Sequence, residues 1–444
     1  MKLIRKAMLA AALGASWAGT PAMANDDAIA AAVNADYDGY LDELFVHFHL
    51  NPELSFLETK TAARMAAELR AAGLEVTEGV GGTGVVGMLK NGDGPLILLR
   101  ADMDGLPVPE KSGLPYASTV KQVGQDGVEY PVMHACGHDV HITSMVGTAR
   151  RLMAMKDKWS GTLMFVVQPA EERVGGARAM VEDGLYDRFG RPDYAVAFHV
   201  SSELPTGMVS ASEGIQYSSA DSVDIVVPGI GAHGASPHAG RDPVYIASQI
   251  VTALQSIASR ETMPLDPVVV TVGAFHSGTK HNIISDRADL QLTVRANDEK
   301  VRAATLASIE RIAVNIGRAH GLPEDMLPKV TVSEGTPVTN NDPALARRLN
   351  AAMKRTFGEE SVPDFQQKGM GAEDFAFFVT EDLGVPGYYF AVGGTPPETF
   401  EAAANGGPPV PSHHSPLFKI SPRESVTVGT RAIIAAVLDL APSK

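Results

Sequence analysis

The chain has 444 residues, a single cysteine, and 52 acidic against 37 basic residues, for a net charge of −15 at neutral pH. So acidic a chain repels a phosphate backbone, which excludes nucleic acid as the expected partner, and one cysteine excludes any intramolecular disulfide. The length exceeds what one compact core usually supports and predicts two domains.

Residues 1–24 carry Lys2, Arg5 and Lys6, then an apolar stretch over 7–17, then Ala22-Met23-Ala24. These are the three regions of a secretory signal with a small-residue cleavage box. The apolar stretch is too short to span a bilayer, and no later run approaches the ~20 apolar residues a spanning helix needs. The expectation is a secreted or periplasmic protein with no membrane segment after signal removal.

Helical spacing runs over 37–49 and 59–72, the second closing at Gly73. Continuous apolar runs at 96–99, 162–167 and 194–198 predict strands buried on both faces, hence a mainly parallel sheet covered by helices. Polar groups follow each run: Arg100-Ala-Asp-Met-Asp104, Gln168-Pro-Ala-Glu-Glu172 and His199. They lie at carboxyl ends of strands, where open α/β sheets carry their sites.

From about Ser222 the pattern changes to strand 223–227, helix 243–260, strands 268–275 and 288–295, helix 299–319 and strand 329–332. That βαββαβ order matches the ferredoxin-like plan. Helix 343–357 and strand 385–392 then resume the first pattern. The predicted organisation is therefore a signal peptide at 1–24, an α/β catalytic domain at 25–212 and 336–444, and a smaller domain inserted at 213–335. Residues 395–412, rich in Pro, Gly and Ala and without periodicity, predict a long loop that delivers His413 and His414.

The lone cysteine sits in Met133-His-Ala-Cys-Gly-His-Asp-Val-His141. Cys136 and His138 are two apart, which in extended backbone points both side chains one way, and thiolate, imidazole and carboxylate together suit a borderline divalent ion. Glu171 and Glu172 supply what a hydrolytic metal site needs, one carboxylate as ligand and its neighbour as proton acceptor; we take Glu172 as the ligand and Glu171 as the base, although spacing leaves their order open. His199 reads as a further ligand or as a core histidine at a strand end, and His414 as a ligand or a surface-loop histidine. Asp102 and Asp139 read as carboxylates that orient ligating histidines, while Asp104 could equally be a turn residue. Gly229 to Gly240 forms a glycine-rich loop presenting His233 and His238, with no Lys-Ser/Thr ending for a phosphate. Asn282 and Arg295 bracket a strand of the inserted domain, and Arg295 reads equally as a two-point grip on a substrate carboxylate or as a surface arginine.

Taken in order, His49-Leu-Asn-Pro-Glu-Leu-Ser-Phe56, Arg100 to Asp104, Met133 to His141, Gln168 to Glu172, Phe198-His199, Gly229 to Gly240, Asn282, Gly371-Ala-Glu-Asp-Phe375 and His414-Ser-Pro-Leu-Phe418 resemble the amidohydrolase branch of the aminoacylase/carboxypeptidase G metallopeptidase family. That branch includes hippurate hydrolases and indoleacetyl-amino-acid hydrolases. The resemblance covers nearly the whole chain after the signal. It implies a two-metal centre held by Cys136, His138, Glu172, His199 and His414, with Glu171 as base and zinc, manganese, cobalt or nickel as the divalent ions. Wider members carry His-x-Asp where this chain has Arg100-Ala-Asp102, so one histidine ligand is absent and Cys-Gly-His supplies the replacement. The resemblance further implies that the inserted domain is a lid and homodimer contact, that His233 reaches a partner subunit's site to hold an oxyanion, and that Asn282, Arg295 and the backbone at Gly371 bind substrate.

The function expected is attack of metal-activated water on the amide of N-acyl amino acids or small N-capped peptides. The alternative within hydrolases is a carboxypeptidase or dipeptidase acting on short peptides. A different class, a non-catalytic metal- or peptide-binding protein, would be signalled by loss of the base, and Glu171 is present.

Overall fold

The computed structural model describes residues 21–443, with side chains from Asp26. The signal peptide expected at 1–24 falls largely outside the described residues. No helix among them is long and apolar enough to cross a membrane.

The apolar runs form the centre of a seven-stranded sheet. Its order is Glu75–Val80, Gly84–Asn91, Gly161–Gln168, Leu96–Asp102, Tyr194–Pro205, Gly387–Thr395 and Val209–Ser210. The four central strands pair in parallel, and antiparallel strands flank them. Successive side chains of a strand point to opposite faces, and here both faces are apolar. Ile97, Leu99, Phe165, Val167, Val196 and Phe198 enter one core, with residues of helices Thr59–Ala71, His138–Ala154, Pro343–Phe357 and Pro422–Leu440. Leu98, Met164, Val166, Ala195 and Ala197 enter the other, against Met180, Leu185, Phe375 and Phe378. The fold is mixed α/β with helices over both faces of the sheet, as the continuous apolar runs require.

The second unit has strand order Val268–Ser277, Arg287–Ala296, Ser219–Pro228, Lys329–Thr336, every pairing antiparallel. That order is the ferredoxin-like arrangement of a βαββαβ chain. Its own core joins Val223, Ile225 and Val227 to Ile246, Ile250, Leu254 and Ile309. Its helices start where capping chemistry dictates: Asp242 accepts the Val244 N–H ahead of helix Pro243–Ser256, and Asp298 accepts from Lys300 and Val301 ahead of Glu299–Ala319. The chain enters the unit through Gly214–Tyr217 and returns through Thr339–Asn341, and these two strands pair antiparallel. Entry and exit therefore run side by side.

The long loop expected at 395–412 is corrected in part, since Pro397–Ala404 is helical. Proline at the first helical position and the Glu-Thr-Phe-Glu-Ala-Ala-Ala run favour a helix despite the surrounding glycines and prolines.

Candidate metal centre

The parallel strands deliver their polar residues to one edge of the sheet. Strand Leu96–Asp102 ends in Asp102 and leads to Asp104; strand Gly161–Gln168 leads to Glu171 and Glu172; strand Tyr194–Pro205 carries His199 within its length. Cys136 and His138 come from the turn that opens helix His138–Ala154. Gly137 between them has φ +85, and an added Cβ there would lie 2.4 Å from Val200 Cγ1, so only glycine fits. Ala170, immediately before Glu171, has φ +49, and His414 has φ +63. Non-glycine residues in this region are uncommon and cost energy that the surroundings must offset, and both positions adjoin or carry a candidate ligand.

The candidate ligand atoms form overlapping groups. Those of Cys136, His138 and His199 lie within 4.8 Å of one another, as do those of Cys136, Glu172 and His414, and those of His138, Glu171 and Glu172. Cys136 Sγ is 3.4 Å from His199 Nε2, and His414 Nε2 is 3.4 Å from Glu172 Oε2. His138 Nε2 is 3.9 Å from Glu171 Oε2 and 4.0 Å from Glu172 Oε1. Two groups thus share one sulfur, so Cys136 would help to hold either of two ions.

Hydrogen bonds fix which nitrogen is free. His138 Nδ1 donates to the Asp104 carbonyl at 2.9 Å, and His199 Nδ1 donates to the Val200 carbonyl at 2.7 Å. Each leaves the Nε2 lone pair for a cation. His141 is different: Nδ1 meets Asp102 Oδ1 at 2.5 Å while Nε2 accepts the Val200 N–H at 2.9 Å, so neither nitrogen is free to ligate.

The charge balance calls for cations. Burial, reinforced by Glu373, Glu172 and Asp374, raises the Glu171 carboxyl well above its usual range. Burial pushes Glu172 up to about 8 against the pull of His138, and burial plus the carboxylates of Glu172 and Glu171 push the Cys136 thiol well up. Arg100 lies beneath, fully buried, but its guanidinium is taken by Asp102 at 2.6 Å, Glu373 at 2.7 Å and Asp374 at 3.3 Å. His138 Nε2 and Glu172 Oε1 are buried without a hydrogen-bond partner, a costly state unless another group satisfies them. These donors fit two divalent cations.

The sequence profile of peptidase family M20/M25/M40 matches residues 98–405. The chain belongs to that family. Hippurate hydrolase of Campylobacter jejuni is 39% identical over 347 residues, 77% of this chain and 86% of the relative. Thermostable carboxypeptidase 2 of Saccharolobus solfataricus is 38% identical over 349 residues, 78% and 83% of the two chains. Among solved structures, the YXEP protein of Bacillus subtilis, a dinuclear metal binding peptidase of the M20 family, superimposes with a TM-score of 0.72 at 28% identity, covering 92% of this chain and 98% of that one. As a member of the family the protein is a metal-dependent amidohydrolase whose cofactor is a pair of divalent ions.

Within this M20 chain, Cys136, His138, Glu171, Glu172, His199 and His414 converge, whereas His233, Asn282 and Arg295 stand on the second unit. His233 and Asn282 are exposed there; Gly234 N–H bonds the Asn282 carbonyl at 2.9 Å. Arg295 is half-buried, its Nε donating to Thr293 at 3.2 Å. The exposed Gly371 accepts the Ser218 N–H at 2.8 Å, where the chain crosses between units. Asp102 supports His141 and lies 3.7 Å from His138 Nε2. Asp139 faces away from the ligands and accepts from His49 at 2.7 Å, while Asp104 takes the orienting place beside His138.

The motifs assign no function to His141, Glu373 or the His413 ring, name Arg100 only as standing where a histidine ligand is absent, and leave Asp104 open between orienting a ligand and turning the chain. Signals existed for some. Arg100, Asp102 and Asp104 alternate along extended backbone and so share a face, and His141 follows His138 by three residues, one helical turn.

Proposed function

We propose that this protein hydrolyses the amide bond of N-acyl amino acids or small N-capped peptides, releasing a carboxylic acid and a free amine. The observation that carries the reading is Cys136 shared between two ligand groups, with the buried carboxyl of Glu171 beside them. When bound, the ions acidify water and polarise the amide carbonyl. Glu171 takes the water proton and returns it to the departing amide nitrogen. Asp104 and the Val200 carbonyl hold the two imidazoles in their ligating tautomers.

The acyl-amino-acid preference is supported by the hippurate hydrolase relative, at 39% identity. The carboxypeptidase relative, nearly as similar, supports a second reading, cleavage of short peptides. The two separate on whether an unblocked α-amine is accepted. Free-amine release should be measured on N-benzoyl, N-acetyl and long-chain N-acyl amino acids and on unblocked dipeptides, with and without chelator. Chelator-sensitive release from the blocked substrates is expected; cleavage confined to unblocked peptides would favour the peptidase, and no cleavage by metal-replete protein would favour a binding protein.

We also propose a homodimer through the second unit, in which the partner subunit's His233 completes each site together with Asn282 and Arg295. Export to the periplasm is proposed from the signal pattern of residues 1–24; N-terminal sequencing of the protein from fractionated cells should find a start near Asn25.

A further inference from the structure

His413 and His414 are adjacent, yet their rings serve different places. His414 N–H bonds the Ala135 carbonyl at 2.9 Å, and its φ of +63 turns the chain so that its Nε2 faces Glu172. The His413 ring goes the other way. It lies 4.9 Å from the Phe418 ring at 36° and 5.3 Å from the His199 ring at 81°, so both neighbours fix its plane. Its Nε2 accepts the Ser202 backbone N–H at 3.1 Å. A ring nitrogen that accepts carries no proton, so in the neutral imidazole the proton sits on Nδ1. Nδ1 is 3.7 Å from Cys136 Sγ, within reach of an N–H···S bond.

We infer that His413 is a positioning residue whose Nδ1–H donates to the Cys136 sulfur, the atom both ligand groups share. The inference rests on Cys136 acting as a thiolate ligand. A donor on that sulfur draws charge from it, favours the thiolate over the thiol, and tempers its donation to the two ions. The second bond of the ring, from the Ser202 N–H to Nε2, ties the loop carrying His414 to the strand carrying His199. Both metal sites thus depend on a histidine that ligates neither.

Thiolate-to-cobalt charge transfer reads this contact directly. Cobalt-loaded wild type, His413→Phe and His413→Asn should be compared by near-ultraviolet absorption, with ion content measured on each. Phenylalanine keeps the ring packing and removes the donor, so its charge-transfer band should move to longer wavelength with two ions still bound. Asparagine places an amide N–H near the position of Nδ1 and should return the band toward the wild-type position. An unshifted band in fully loaded His413→Phe would overturn the inference while leaving the thiolate ligand intact. No charge-transfer band in loaded wild type would overturn the thiolate reading and this inference with it. Where His413→Phe does not load, His413→Leu serves as the donor-free variant: a band at longer wavelength supports the donor, and an unshifted band overturns it.

Discussion

The carboxylate of Asp104 holds the backbone of Glu171, accepting its N–H at 3.1 Å. Its other oxygen accepts the Glu172 N–H at 3.1 Å and the Ser55 hydroxyl at 2.7 Å, and its carbonyl takes His138 Nδ1. One residue thereby sets the base, a carboxylate ligand and an imidazole ligand. Asparagine would present one acceptor and one donor to two N–H groups, leaving one unpaired. Asp104→Asn should weaken metal binding by about 10–100-fold, the usual scale for such supporting partners, with turnover falling alongside. Dialysis against graded chelator with metal analysis checks this; wild-type affinity and turnover would remove Asp104 from the site.

Glu171 and Glu172 are neighbours with separable duties. Glu171→Gln should keep both ions and lose about 10²–10⁴ in kcat, the range for a general base. Glu172→Gln should lose metal first. Ion content and kcat on the two purified variants decide the order; wild-type turnover in fully loaded Glu171→Gln would place the base elsewhere.

The sheet and most of the site were legible because each central strand is a continuous apolar run that stops at a polar cluster. What the sequence did not reveal depends on side-chain direction. Asp139 follows His138 directly, but on a helix adjacent residues diverge, so it meets His49 instead of a ligand. The helix itself was hard to read, since residues 138–149 are buried throughout and leave no polar stripe to mark a helical period. The resemblance places the ligand at His414, ahead of Ser-Pro, but the part played by the His413 ring could not be read, because the turn at His414 φ +63 is invisible in composition.

Stability of the metal-free protein should fall as pH rises from 6.5 to 9. Burial lifts Glu172 to about 8 from 4.5, Asp374 to about 8 from 3.8 and Glu58 to about 7 from 4.5. Between its unfolded and folded values each holds a proton when folded that the unfolded chain has released, so rising pH favours unfolding until the folded value is passed. His49, although burial opposes its charge, is held at about 9 by Asp139 and Glu110, so its contribution is complete below 6.5 and lost through 9. His134, lowered to about 4, and His413, lowered to about 3, both chiefly by burial, act in the opposite sense but only below 6.5. Bound ions keep Glu172 ionised and remove its share. Tm measured with chelator should drop across this window, and drop less with divalent metal; a flat or rising metal-free Tm would contradict the assignment.

His233 is exposed, and its Nδ1 accepts the Ala235 N–H at 3.0 Å. The proton of the neutral ring is then on Nε2, which is the donor an oxyanion would need. The role proposed for it, at the site of a partner subunit, predicts complementation between variants. His233→Ala keeps Glu171, and Glu171→Gln keeps His233; each alone should be nearly inactive. In a mixed dimer one site receives both intact residues and the other neither. Equal mixing with free exchange should therefore restore about a quarter of wild-type activity, by the symmetry of a dimer. Light scattering establishes the dimer and native mass spectrometry of a tagged partner establishes exchange. Confirmed mixed dimers that remain inactive would show that Glu171 and His233 do not act across the subunit interface.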